Sequence, residues 1–246
     1  MGATGCWPAG VGRRVLAEVD STMDEAARRA DALAPPAWIM AERQTAGRGR
    51  RGRRWEMPAG NFAATLVMRP GGDAAEAALR SFVAALALHE ACAAATGEAG
   101  RFALKWPNDV LMDGRKLAGI LLERRGETLL VGIGVNLAAA PPREALEPGA
   151  LPPAWLAETG TRIAPAAFLD LLAPAFGRHE ALLASDGFGP VRDAWLARAA
   201  RLGARITART GAETLEGRFE TVDAAGHLVL ATDRGRLAVA AAEVFL

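Results

Sequence analysis

Nine residues of this chain can be neither core helix nor core strand: Gly47-Arg48-Gly49-Arg50-Arg51-Gly52-Arg53-Arg54-Trp55. Five arginines and three glycines bury too little apolar area to offset the entropy of ordering them. The run is therefore a loop, expected to be mobile when empty and ordered when a ligand arrives. Its flanks read differently. Residues 37–41 and 61–69 are short apolar runs of the buried-strand kind. Glycines hung between two core strands let the backbone approach a ligand closely. Guanidinium groups match carboxylate or phosphate oxygens in bidentate geometry. A solvated loop, or an RNA- or DNA-binding patch, would use the same residue types. Position between two strands, with an aromatic at the end, favours a small ligand carrying several negative charges.

The remainder supplies a scaffold for that loop. Ser21 or Thr22 caps a helix over residues 21–33, with Asp24 and Glu25 in its first turn. Residues 76–96 predict a long alanine-rich helix. Three strands follow, 102–112, 116–123 and 128–137, with Asp113-Gly114 as a hairpin turn. The proline cluster at 141–153 reads as a surface connection, and two helices occupy roughly 165–184 and 190–200. From about Leu202 the pattern changes to four short strands, 205–210, 215–222, 227–232 and 236–244. Four strands in so short a span predict a small β-barrel of the SH3 type. A domain boundary is placed near Arg201. At 246 residues the chain has room for one large α/β domain and this small one.

Composition narrows the function classes. Lys+Arg is 29 and Asp+Glu is 28, so no global basic field holds the protein on nucleic acid or a membrane surface. Cys6 and Cys92 lie far apart in no CxxC pattern, which fits a reducing compartment and implies neither a disulfide framework nor a zinc site. The first residues lack the apolar core of a secretory signal. The longest apolar stretches, such as 84–88, are expected to be too short to span a bilayer. A cytoplasmic protein with no membrane partner is expected.

Three more blocks carry chemistry. Lys105-Trp106-Pro107-Asn108-Asp109-Val110 and Lys116-Leu117-Ala118-Gly119-Ile120-Leu121 put lysines into apolar strands. Such lysines must reach an edge or be matched to anions, because an unpaired buried charge is expensive. Gly132-Ile133-Gly134-Val135-Asn136 ends a buried strand and is not a GxGxxG fingerprint. GxxxxGK[ST] is absent from the sequence, so any ATP would be bound without a P-loop. His89, His179 and His227 are scattered and suggest neither a metal site nor a catalytic triad.

GRGRRGRRW, KWPNDV, KLAGIL and GIGVN follow one another in an order and at spacings similar to the catalytic domain of biotin–protein ligases. Asp20-Ser21-Thr22 and Gln44-Thr45 fit the same pattern. The resemblance covers most of residues 15–140, and the terminal barrel fits the family's C-terminal domain. It implies an α/β (α+β) catalytic domain over residues 1–200, with a mixed sheet flanked by helices and related to class II aminoacyl-tRNA synthetases. Residues 201–246 would form the SH3-like barrel. It also implies an ATP-dependent ligase that makes biotinyl-5′-AMP and passes biotin to a lysine of the biotin carboxyl carrier protein of acetyl-CoA carboxylase.

The implied roles make chemical sense. Ser21, Thr22 and Gln44 would hydrogen-bond the ureido head of biotin, with Met23 beside them. Arg48, Gly49 and Arg50 would close over biotin and the phosphates. Lys116 would bridge the biotin carboxylate and the α-phosphate, Asn108 and Asn136 would face the nucleotide, and Trp55 would wall the site. Asp109 would act as a base or orienting group, giving Lys116, Arg50 and Asp109 as the catalytic set. ATP and Mg²⁺ enter as co-substrates and biotin as substrate, with no permanently bound cofactor and no protein metal site. Many family members carry an N-terminal helix-turn-helix; here the catalytic pattern starts almost at once, so a ligase without DNA binding is expected. The family's strand often continues to an arginine near the nucleotide. This chain stops at Glu243-Val244-Phe245-Leu246, so that contribution is expected to be absent or supplied elsewhere. A homodimer is open. The competing readings are a lipoate or octanoyl–protein ligase, and a non-catalytic nucleic-acid-binding protein built around Arg48–Arg54.

Overall fold

The computed structural model describes residues 6–142, 150–211 and 213–245. The central part of the proline cluster, 143–149, lies outside the described residues. Seven strands form one sheet: β1 (Gly12–Val19), β2 (Ala37–Gln44), β3 (Phe62–Met68), β4 (Phe102–Lys105), β5 (Asp109–Met112), β6 (Arg115–Arg125) and β7 (Thr128–Val135). Their order is β1-β2-β3-β7-β6-β5-β4. Only β1 and β2 run parallel and every other pair is antiparallel, so the sheet is mixed.

The period-2 alternation of the strands sorts the two faces. On β3 and β7, Phe62, Ala64, Leu66, Leu129, Val131 and Ile133 join the main hydrophobic core. That face is covered by α3 (Arg80–Thr96) and α4 (Pro165–Asp186), and α5 (Phe188–Leu196) packs against both helices. Edge-to-face ring pairs, Trp38 with Phe176 and Phe62 with Phe168, stitch the sheet to α4. The opposite face shows Val67, Leu130 and Ile39, and these meet α1 (Thr22–Arg29) through Met23, Ala26 and Ala30. One short helix covers only part of that face. The uncovered part is where the site lies.

Several expectations need correcting. β1 was not foreseen. It is an edge strand whose Arg13, Arg14 and Val15 are exposed, so it lacks the apolar run that marks β2. The strand expected over 102–112 is two antiparallel strands, β4 and β5, joined at Trp106-Pro107-Asn108. Proline has no N–H to give a ladder and breaks it there. The long helix is divided at Leu79 into α2 (Ala74–Ala78) and α3. Residues 74–96 are in fact long and apolar enough to cross a membrane, but they are largely buried in this core. Asp113-Gly114 does make the hairpin turn, both with positive φ.

The C-terminal unit has five strands rather than four: β8 (Arg205–Arg209), β9 (Thr214–Val222), β10 (Leu228–Thr232), β11 (Gly235–Val239) and β12 (Glu243–Phe245). The run expected as one strand, 236–244, turns at Ala240-Ala241-Ala242 into β11 and β12, which end up at opposite edges of an antiparallel sheet of the SH3-like kind. Its core is continuous with that of the larger unit. Trp195 meets Phe219 edge-on, and Trp106 Nε1 donates to the Gly226 carbonyl at 3.0 Å.

Candidate active site

A cavity of about 470 Å³ opens on the sparsely covered face, beneath the arginine–glycine loop. All twelve residues singled out from the sequence line it: Ser21, Thr22, Met23, Gln44, Arg48, Gly49, Arg50, Trp55, Asn108, Asp109, Lys116 and Asn136. Residues spread over more than a hundred positions thus converge.

One end is polar and uncharged. Ser21 is the N-cap of α1, its Oγ accepting from the Met23 and Asp24 amides at 3.2 and 3.4 Å. Gln44, at the end of β2, takes the Thr22 amide and hydroxyl on its Oε1 at 2.8 and 3.1 Å. Thr65 in turn donates to the Thr22 hydroxyl at 3.0 Å. These bonds fix the Gln44 amide with its Nε2 donors unused among the described residues, and the Ser21 hydroxyl proton likewise.

The floor is made by glycines. A Cβ on Gly132 would sit 2.6 Å from the Met23 sulfur, and one on Gly134 2.5 Å from the Trp55 ring. Both glycines of the Gly-Ile-Gly run therefore exist to seat a larger side chain against β7. Trp55 closes that side, though its Nε1 is buried without an acceptor, a cost of about 1–3 kcal/mol.

The other end is cationic. Asp109 is buried at the start of β5 between two lysines: Lys116 Nζ stands 2.7 Å from its Oδ1, and Lys105 Nζ 3.4 Å from its Oδ2. Burial alone would raise its pKa, but Lys116 and then Lys105 outweigh it and hold the carboxyl below its usual range. Burial lowers the Lys105 pKa against the pull of Asp109. Lys116 is about one-third exposed, and its ammonium also lies 5.8 Å from the Trp55 ring centre. Arg50 donates to Asn108 Oδ1 at 3.2 Å, and Asn108 Nδ2 donates to the Ile120 carbonyl at 2.7 Å.

Two of the lining residues spend their polar groups on neighbouring protein groups. Arg48 does not offer its guanidinium to the cavity. Asp24 Oδ1, at 2.8 Å, and Glu123 occupy it, and the Glu123 contact foremost raises its pKa. Its place is that of a pin joining the loop to α1 and β6. Asn136 lines the cavity but uses its amide to hold the Ala154 carbonyl at 3.0 Å and to meet Asn61. Gly49 meets only the Arg53 carbonyl at 3.8 Å from a built Cβ, so crowding does not demand it here.

Other members of the site escaped the sequence reading. The resemblance assigns no role to Lys105, although its motif contains it. Thr65 shows in the sequence only as a hydroxyl in the middle of an apolar strand. Asp24, Glu123 and Glu243 bear no motif. Among the described residues no three His, Cys, Asp or Glu side chains gather as a metal site.

The matches with known proteins follow this geometry. The profile of the Biotin/lipoate A/B protein ligase family matches residues 14–138, half of the chain, and the chain belongs to that family. Residues 202–246 match the biotin protein ligase C-terminal domain. Within the family it is 56% identical, over 94% of its length and 99% of the relative's, to the biotin–[acetyl-CoA-carboxylase] ligase of Paracoccus denitrificans. It is 29% identical to the bifunctional ligase/repressor BirA of Bacillus subtilis, of which it spans 65%. Among solved structures, the Aquifex aeolicus biotin protein ligase in complex with biotin and ATP superimposes with a TM-score of 0.82 at 25% identity, covering 95% and 97% of the two chains.

Proposed function

We propose that this chain is an ATP-dependent ligase that activates biotin as biotinyl-5′-AMP and transfers the biotinyl group to a lysine of the carboxyl carrier protein of acetyl-CoA carboxylase. The observation that carries this reading is the polarity of the cavity, which is lined by the neutral donors of Ser21 and Gln44 and by the cations Lys116 and Arg50. The family relationship, the relative's name and the biotin- and ATP-bound Aquifex structure support it.

In this reading Ser21 and Gln44 donate to the ureido oxygen of biotin, Thr22 and Thr65 hold Gln44 in place, and Met23 packs beside the bicyclic ring. The biotin carboxylate attacks the α-phosphorus of ATP and pyrophosphate leaves. Lys116 and Arg50 offset the negative charge that accumulates there. Asn108 aims Arg50, and Asp109 orients Lys116. Asn136 acts indirectly, by holding the segment around Ala154 at the nucleotide side. The acceptor amine then attacks the acyl carbon, forming the amide as AMP departs. MgATP is the substrate, and no step is assigned to a protein-bound metal. We take residues 1–200 as the catalytic unit and 201–246 as the barrel, and place the reaction in the cytoplasm; a homodimer remains compatible with the exposed edge of β1.

The decisive experiment is mass measurement after incubation with biotin and MgATP. A retained species of the mass of biotinyl-AMP is expected, with pyrophosphate released for biotin and not for lipoate. Release with lipoate alone would move the chain to the other branch of its family.

A further inference from the structure

Strand β6 changes face once along its length. Ala118 and Ile120 belong to the main core, while Gly119 lies under the Trp55 ring and Leu121 packs with the α1 cluster. Strict alternation would carry Lys116 to the core face with Ala118 and Ile120. Lys116 lines the cavity instead. Its pairing with β5 accounts for the change. Val110 is opposite Ala118 and Leu111 is opposite Lys116, so Leu117 is an extra residue with no partner on β5. Leu117 and Ala118 both enter the core, Leu117 fully buried, and Lys116 is turned over to the other face. Bulges of this kind re-aim a side chain beside a site.

The turn brings Lys116 to its carboxylate. Asp109 is opposite Gly119 in the ladder, yet its Oδ1 stands 2.7 Å from Lys116 Nζ. Past the end of β7, the other edge of β6 is held by a short strap. The Lys116 amide donates to the Pro152 carbonyl, and the Lys116 carbonyl accepts from the Ala154 amide, both at 2.8 Å. Asn136 ties the strap to the bulge: its side chain holds the Ala154 carbonyl and its own amide donates to the Leu117 carbonyl, each at 3.0 Å. Pro152 and Pro153 stiffen the strap by fixing φ.

We propose that Leu117 is a positioning residue for adenylate formation: as the extra residue of the bulge, anchored in the core, it turns Lys116 into the cavity, where the 152–154 strap fixes it. Leu117 does not itself line the cavity and acts only through its neighbour. The role of Lys116 rests on the biotin-activating reading of the site.

The test uses the full chain, whose only lysines are Lys105 and Lys116. With lysine carbon-13 labelled at Cε, its NMR spectrum holds two side-chain signals, and Lys116→Gln assigns them by loss. The Trp55 ring centre, 5.8 Å from Lys116 Nζ, should displace the Lys116 signal from that of free lysine. Leu117→Ala should move this signal toward the free position and leave that of Lys105 in place. It should also lower kcat for biotin-dependent pyrophosphate release roughly a hundredfold, the weight of a misplacement of about 1 Å, with KM for biotin unchanged. Leu117→Met, close in volume, should restore both. Leu172→Ala empties an equally buried core position on α4; it should melt lower and keep the wild-type signal and kcat. Should Leu117→Ala not fold, Leu117→Val is read in its place. A Lys116 signal that does not move overturns the proposal, as does a moved signal with unchanged kcat, or a loss of kcat that Leu172→Ala matches. If wild type releases no pyrophosphate with biotin, the proposed activity fails, and the two lysine signals still decide whether Leu117 aims Lys116.

Discussion

Arg50 differs from the other four arginines of its loop. Arg48 pairs with Asp24 and Glu123, Arg51 and Arg53 with Glu243, and Arg54 with Glu56. Among the described residues Arg50 has no carboxylate partner, only the Asn108 amide oxygen, and burial followed by Arg51 lowers its pKa. A half-buried cation in no direct ion pair, with Asp109 and Glu243 acting on it only from beyond contact, is poised for an anion. We assign it the phosphate of the adenylate, where a charge-assisted contact contributes about 1.5–3 kcal/mol. Arg50→Gly should still make biotinyl-AMP but release it roughly ten- to a hundredfold faster. An avidin blot of a bystander protein reads this directly. Labelling no stronger than wild type, with the acceptor still modified, would take Arg50 out of that role. Lys116→Gln should behave differently, because the lysine's charge matters most as the α-phosphorus becomes pentavalent. Biotin binding by calorimetry should survive while pyrophosphate release is lost; unchanged turnover would remove Lys116 from the chemistry.

The arginine–glycine loop is held as an element at both ends. Arg48 anchors its start to α1 and β6, and Arg53 grips Glu243 of β12 in bidentate fashion at 2.7 and 2.9 Å. The arginines hold Glu243, Arg53 foremost, below its usual pKa. Glu243→Gln should therefore loosen the loop's far end. Tryptic cleavage within 51–54 should rise by up to roughly fivefold, the weight of one partly exposed ion pair, and added biotin and ATP should slow it. Equal cleavage of mutant and wild type would show that the C-terminal strand does not hold the loop. This latch also shows what the sequence could not display. Elements announced by contiguous residues were legible: the apolar runs of β2, β3 and β7, the Ser21 cap, the Asp113-Gly114 turn and the four motifs that line the cavity. Pairings between distant residues were not. Arg48 lies 24 positions from Asp24 and 75 from Glu123, and Arg53 lies 190 from Glu243. A charged side chain at a strand end looks alike whether it faces water or a partner. For the same reason β1, stabilised by its neighbour β2 rather than by its own apolarity, was passed over.

At the scale of the molecule the division of labour between the sheet's faces governs stability as well as function. The helical face carries the packing, and the opposite face keeps its cavity because only α1 covers it. The packing of α3 on α4 is trimmed by charge. Glu90 of α3 meets His179 Nε2 at 2.8 Å and Arg178 at 2.9 Å on α4, and Arg80 meets Glu180 at 2.8 Å. His179 foremost, then Arg178, hold the Glu90 carboxyl at about 2, against an ordinary value of 4.5. A lowered folded pKa means that the unfolded chain takes up the proton first as pH falls. The stabilisation from Glu90 is therefore complete above about 4.5 and is lost progressively as pH falls toward about 2. Glu90 is about one-third exposed, so solvent screening limits the effect to about 1 kcal/mol or less, or no more than roughly 2–4 °C in a chain of this size. Glu90→Gln should melt lower than wild type at neutral pH, and the gap should close as both are titrated through that window. Melting curves followed by far-ultraviolet circular dichroism at a series of pH values measure this. A gap that persists unchanged at the acid end would mean that Glu90 stabilises the helix pair by packing rather than by its charge.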